Sequence, residues 1–134
     1  MPTPAQLRKL KSAAKAASRR AYAPYSQFHV GAAVLTNSGR IFAGCNVENA
    51  SYGLCNCAER TAIFSAVAAK ERTLQCVVVY TPTPTATAPC GACRQVIFEF
   101  GPTARVISFC AGRETIDTTI TELLPRAFGP GNLA

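Results

Sequence analysis

Two short stretches of this chain hold residue types that could do chemistry together. One is Cys57-Ala58-Glu59, inside the segment 49–63, and the other is Pro89-Cys90-Gly91-Ala92-Cys93-Arg94-Gln95. Each places cysteine where a loop gives way to a helix-forming run. A helix N-terminus offers unpaired N–H groups and partial positive charge, which stabilise a thiolate. Cys90 and Cys93, three residues apart, can face the same side of a first helical turn and chelate one ion, with Cys57 as the third ligand. Three protein ligands leave one tetrahedral position open, as in a catalytic zinc site rather than a structural one. Glu59, two residues beyond Cys57, is then placed to take and return protons.

The same residues admit other readings. A C-x-x-C at a helix start also suits thiol–disulfide exchange, although here it follows a proline-rich loop and not a thioredoxin-like βαβ unit. Cys55 could complete a structural four-cysteine site, which would leave Glu59 without a task. The seven cysteines are an odd number. The basic N-terminal segment lacks the apolar core of a secretory signal, so reduced thiols or metal ligands are expected over disulfides. Cys45, Cys76 and Cys110 stand in apolar, strand-like settings and are expected to be small buried hydrophobes.

The elements that must position these groups can be read from periodicity. Thr3-Pro4 starts a helix, with Leu7, Leu10, Ala14, Ala17 and Ala21 as its apolar stripe and Pro24 as its end. Segments 29–36 and 40–45 form a hairpin across Asn37-Ser38-Gly39. Segment 46–56 is a loop, and 57–70 is a helix whose apolar face is Ile63, Phe64 and Val67. Segment 74–80 is a strand buried on both faces, 81–88 a Thr/Pro loop, 91–100 a second helix, 104–110 and 115–119 strands, and 121–124 a last helical turn. Helices alternating with strands predict an α/β sheet covered by helices, in a single domain over 1–134.

Composition narrows the class. Hydrophobic residues make up 49% and charged residues only 16%. That balance implies apolar surface hidden in an oligomer. No apolar run approaches the ~20 residues of a bilayer span, and a cytoplasmic protein is expected. The net charge is +7, yet Arg8, Lys9, Lys11, Lys15, Arg19 and Arg20 supply six of the positive charges, leaving eight basic against seven acidic residues elsewhere. A solvated helix face accounts for such a run, and no aromatic residues before Tyr22 interleave with it to stack bases.

Cys57-Ala58-Glu59-Arg60-Thr61-Ala62-Ile63 followed by Pro89-Cys90-Gly91-Ala92-Cys93-Arg94-Gln95 resembles the cytidine deaminase family, in its small homo-oligomeric branch acting on free nucleosides. A non-ligand glutamate ahead of P-C-x-x-C marks the zinc deaminases generally. Similarity extends to Tyr25–Phe28 with Val30–Ala33, to Gly44-Cys45-Asn46-Val47-Glu48-Asn49-Ala50, and to Glu122–Pro125 with Phe128-Gly129-Pro130.

The resemblance implies a three-layer α/β/α fold with a mixed five-stranded sheet and helices on both faces. It implies one Zn2+ per subunit on Cys57, Cys90 and Cys93, with Glu59 as proton shuttle and Arg60 hydrogen-bonded to the thiolates. Asn46 and Glu48 would hold the ribose 3′-hydroxyl and Phe28 would pack on the base. Tyr52 would line the ribose side, the Ala58 backbone would contact the pyrimidine, and Phe128 would enter a neighbouring subunit's site in a homotetramer. The activity implied is hydrolytic deamination of cytidine and 2′-deoxycytidine. A deaminase of a modified cytosine nucleoside of the blasticidin type is the alternative within that chemistry. A zinc-stabilised nucleic-acid-binding module is the alternative outside it. Cys55 is expected to stay off the metal, and His29, the only histidine, to be structural.

Overall fold

The computed structural model describes residues 1–134. The first helix, α1 (Pro4–Ser18), opens on a reciprocal capping box. The Thr3 hydroxyl accepts from Gln6 N at 3.1 Å and the Gln6 side chain accepts from Thr3 N at 2.9 Å, so two end-of-helix donors are satisfied at once. Five strands follow, interleaved with helices: β1 (Gly31–Thr36), β2 (Ile41–Cys45), α2 (Ala58–Ala68), β3 (Leu74–Thr81), α3 (Gly91–Phe100), β4 (Arg105–Cys110), β5 (Thr115–Thr119) and the short α4 (Ile120–Leu123). Single 3-10 turns occur at Tyr52–Leu54 and Pro130–Leu133.

The sheet order is β2-β1-β3-β4-β5. Only β3 and β4 are parallel, joined through α3, and every other pair is antiparallel. Alternation along the strands divides two apolar layers. Ala33, Leu35, Cys76, Val78, Tyr80 and Ile107 face α1, meeting Leu10 and Ala14. Ala32, Val34, Val77, Val79 and Val106 face the other way, onto Ala58, Ala62, Ile63 and Ala66 of α2 and Ile97 of α3. The result is a mixed five-stranded sheet with helices on both faces.

Topology then fixes where chemistry can gather. Strands β2 and β3 both run antiparallel to β1, so they end on the same side of the sheet. The helices that follow them, α2 and α3, therefore start at that side, each with a cysteine at its N-cap. Two glycines allow the helices to sit close. A Cβ on Gly31 would lie 1.8 Å from Ala14 O of α1, and one on Gly44 would lie 2.4 Å from Ala62 N and 2.9 Å from Ala58 O of α2.

Several sequence expectations need correction. Helix α1 ends at Ser18, well before Pro24, so Ala21 lies outside it. Beyond it Tyr22 pairs with the distant segment around Val47, Tyr22 N donating to Asn46 O at 3.0 Å and Glu48 N to Tyr22 O at 2.8 Å. Helix α2 ends at Ala68 instead of residue 70, because Lys70 adopts φ +67 and Glu71 N turns back to Ala66 O. Its buried face is Ala58, Ala62, Ile63 and Ala66, whereas Phe64 is 47% exposed. Only small side chains fit the close approach over Gly44. Cys76 and Cys110 are buried, but Cys45 is half-buried because β2 is an edge strand.

Candidate active site

Cys57 and Cys90 hold extended backbone at the N-caps of α2 and α3, and neither makes a side-chain capping bond. Their sulfurs therefore remain available, each at the positive end of a helix. Cys93 lies in the first turn of α3 and is buried. The three Sγ atoms lie within 4.8 Å of one another, with Cys57 Sγ and Cys90 Sγ 3.8 Å apart. Zinc bonded to sulfur at ~2.3 Å in a tetrahedron places ligand sulfurs about 3.8 Å apart, so the donor set and its spacing fit that ion. Cys55 is not in the cluster. Its Sγ accepts from Asn49 N at 3.3 Å and its thiol donates to Asn49 O at 3.6 Å.

The thiols share charge unequally. Cys57 is drawn down to about 5, because the Cys93 thiol donates to it and because Arg60 adds a hydrogen bond and positive charge. Cys93 is pushed up, by that same donated bond and by burial. Arg60 Nη2 donates to Cys57 Sγ at 3.1 Å, which holds the guanidinium more firmly protonated than usual. Arg60 Nε is buried with no acceptor in the chain.

Glu59 follows Cys57 by two residues in the first turn of α2 and is only 5% exposed. Burial raises its pKa first, and the negative Cys57 beside it adds to the rise. A carboxyl in that environment holds a proton more readily than a solvated one, as a general acid–base group requires. Glu59, Cys57 and Cys90 line one cavity of ≈ 170 Å³, together with Phe28, Asn46 and Ala58. Its remaining wall is Val30, then Val79 and Thr81 of β3, and Thr87-Ala88 of the Thr/Pro loop.

That loop and the start of α3 are tied down by groups that sequence reading missed. Arg94 Nε donates to Pro89 O at 2.8 Å and Nη1 to Leu123 O at 2.9 Å, fixing the residue before Cys90. Ala86 N donates to the Glu114 carboxylate at 2.8 Å, just ahead of Thr87-Ala88. The Pro-Cys spacing signals a helix start, but nothing local in sequence signals the distant partners, the Leu123 carbonyl and the Glu114 carboxylate.

Residues 4–110 match the family model described as the cytidine and deoxycytidylate deaminase zinc-binding region. The chain belongs to this family. A cytidine deaminase from Sporosarcina psychrophila is 44% identical over 127 residues, covering 94% of this chain and 93% of that protein. The crystal structure of a cytidine deaminase from Burkholderia pseudomallei superimposes with a TM-score of 0.86 at 55% identity, over 90% of this chain and 98% of that one. That from Mycobacterium tuberculosis gives 0.78 at 36% identity, over 92% and 97%. The zinc-binding character of the family agrees with the three-thiol cluster.

The expected substrate-side residues divide between two places. Phe28, Asn46 and Ala58 stand on the cavity beside the thiols. Glu48 and Tyr52 line a second recess with Tyr25, Ser26 and Cys55. Asn46 is engaged with the backbone of the preceding strap, Oδ1 accepting from Val30 N at 2.8 Å and Nδ2 donating to Phe28 O at 2.7 Å. Phe128 is 59% exposed and away from the cavity of its own chain. Its carbonyl accepts from Gln95 Nε2 of α3 at 2.7 Å. His29 Nδ1 sits 3.2 Å from Gln27 O, apart from the thiols. No helix is long and apolar enough to cross a membrane.

Proposed function

We propose that this chain is a zinc-dependent hydrolytic deaminase of cytidine and 2′-deoxycytidine, yielding uridine or 2′-deoxyuridine and ammonia, in the salvage of pyrimidine nucleosides. One observation carries the reading: two thiols of the three-cysteine cluster, Cys57 and Cys90, and the buried carboxyl Glu59 line one cavity. The cavity also presents an aromatic ring, Phe28, suited to a flat base. Family membership supports the same chemistry.

Cys57, Cys90 and Cys93 would hold one zinc, which supplies Lewis acidity that lowers the pKa of water toward neutrality. Three thiolates leave the site with net negative charge, and Arg60 and the two helix N-termini counter it. The base lies between Phe28 and the first turn of α2, with the Ala58 backbone at its edge. Glu59 takes a proton from water and passes it to ring nitrogen 3. It then takes the second proton from the hydroxyl newly bonded to carbon 4 and delivers it to the departing amino group. The carbon 4–nitrogen bond breaks, water oxygen takes its place at carbon 4, and ammonia leaves. The cavity's lining is mostly apolar, which favours the uncharged carboxyl of Glu59. Asn46 and Glu48 address the sugar's 3′-hydroxyl rather than its 2′ position, so both sugars are accepted.

The exposed aromatic and aliphatic side chains support self-association. Tyr52, Leu54, Phe64 and Phe128 lie open to solvent in a single chain. In a homotetramer Phe128, held on α3 by Gln95, reaches the neighbouring subunit's cavity, and Tyr52 closes its sugar side. The test is a spectrophotometric assay of cytidine with and without a strong chelator. Loss of cytidine absorbance with stoichiometric ammonia, abolished by the chelator and restored by zinc, is expected. A zinc-loaded protein that leaves cytidine and 2′-deoxycytidine untouched contradicts the reading.

A further inference from the structure

The strap Tyr25–Val30 brings Phe28 to the cavity, and one hydroxyl within it connects the Phe28 backbone to a carboxylate lining the second recess. Tyr25 N and Ser26 N donate to Glu48 Oε1 at 2.9 and 3.1 Å. The Ser26 hydroxyl donates to Glu48 Oε2. Ser26 Oγ in turn accepts from Phe28 N at 3.0 Å. Gln27, between them, holds the left-handed conformation at φ +60, its side chain donating to Pro24 O at 3.1 Å. A hydroxyl has one proton and two lone pairs. Ser26 gives the proton to the carboxylate and a lone pair to the backbone of the ring-bearing residue.

We infer that Ser26 is a positioning residue for the reaction: its hydroxyl sets the orientation of the Glu48 carboxylate and the seat of the Phe28 ring together, so that sugar and base are recognised as one unit. The inference rests on the deaminase reading above. Without the hydroxyl, Phe28 N loses its acceptor in a strap already containing a left-handed residue, and Glu48 Oε2 is free to turn away. The Ser26 bond is also the main influence holding the Glu48 carboxyl below its ordinary range. Ser26 is exposed and contributes nothing to the core, so its removal acts on this link and not on the fold.

The experiment compares Ser26→Ala and Ser26→Thr with the wild type, on cytidine and on a cytosine nucleoside lacking the 3′-hydroxyl. A hydrogen bond to a charged group is worth enough to raise KM about tenfold when lost. Ser26→Ala is expected to show that rise on cytidine with kcat little changed, a smaller rise on the 3′-deoxy substrate, and unchanged zinc content. Ser26→Thr, which keeps the hydroxyl, restores KM. In a Glu48→Gln background Ser26→Ala adds less than it does alone. A wild-type KM in Ser26→Ala, or an equal loss on both sugars regardless of Glu48, overturns the inference. If Ser26→Ala fails to fold, Ser26→Cys, a weaker donor, is read in the same way, with an intermediate KM expected and a wild-type KM overturning it. A wild type inactive on both nucleosides contradicts the deaminase reading instead, so the two failures are distinguishable.

Discussion

Arg60 Nη2 donates to Cys57 Sγ at 3.1 Å, from three residues further along the same helix. That spacing is one turn of α2, so the charge that offsets the thiolate is built into the element that carries it. Zinc on three thiolates has net charge −1, and an arginine against one sulfur reduces the electron density pressed onto the metal. Removing it is expected to weaken zinc binding by roughly 10–100-fold, the range for loss of an outer partner of a metal ligand. Competition of Arg60→Ala with a chromophoric chelator measures this. Zinc affinity equal to wild type would take Arg60 out of the metal's support.

Cys55 and Cys57 are two residues apart, yet only Cys57 belongs to the cluster, because Cys55 is bonded to both polar groups of the Asn49 backbone. Cys55→Ser is expected to keep one zinc per chain and full turnover. Cys57→Ala is expected to lose both. Metal analysis beside a cytidine assay reads the difference, and a zinc-free Cys55→Ser would show that the ligand set is wrong.

Gly44 and Ala62 are in backbone contact, and a methyl group at Gly44 would meet Ala62 N at 2.4 Å. Gly44→Ala must push α2 off β2, and with it Cys57 and Glu59. Overpacking of this kind costs about 1–3 kcal/mol. The expected outcome is a lower melting midpoint together with lost zinc. Gly53→Ala, where no atom lies within 4 Å of the added carbon, is the control and is expected to melt like the wild type.

Acid stability follows from three carboxylates outside the metal cluster. Asp117 is held below its ordinary 3.8 by Arg105, whose Nη2 is 2.6 Å away. Glu71 lies below its ordinary 4.5 through bonds from the Ser38 and Thr36 hydroxyls, and Glu48 likewise through Ser26. A depressed folded pKa gives stability that is present above the unfolded value and lost as pH falls through the folded one. The melting midpoint should therefore hold above pH ~5 and fall progressively below ~4.5. Asp117→Asn should lower the neutral midpoint slightly and flatten the acid loss. An acid profile identical in wild type and Asp117→Asn would remove that pair from the account.

The sequence made the thiol-bearing elements legible because their signals are local. Helix α3 runs from Gly91 to Phe100 as expected, since proline, cysteine and glycine mark both of its ends. The buried run of β3 announced a central strand. What stayed hidden depends on partners far along the chain. Helix α1 stops at Ser18 because Tyr22 is claimed by Val47 and its neighbours, which periodicity cannot register. Of the face expected for α2, Ile63 is buried and Val67 packs against the core, but Phe64 points out, because the approach to Gly44 selects alanines there. Ser26 was visible only as part of a family pattern, and its link between Glu48 and Phe28 emerges once the strap is folded.

The central claim is that three thiols hold zinc while Glu59 moves the protons. It is tested most directly by measuring zinc content and ammonia release for Glu59→Ala beside the wild type. The account predicts one zinc per chain in both, with turnover of cytidine reduced at least 10²–10⁴-fold in the variant, the usual contribution of a positioned acid–base group. A Glu59→Ala protein that keeps its zinc and deaminates cytidine at close to the wild-type rate would contradict it.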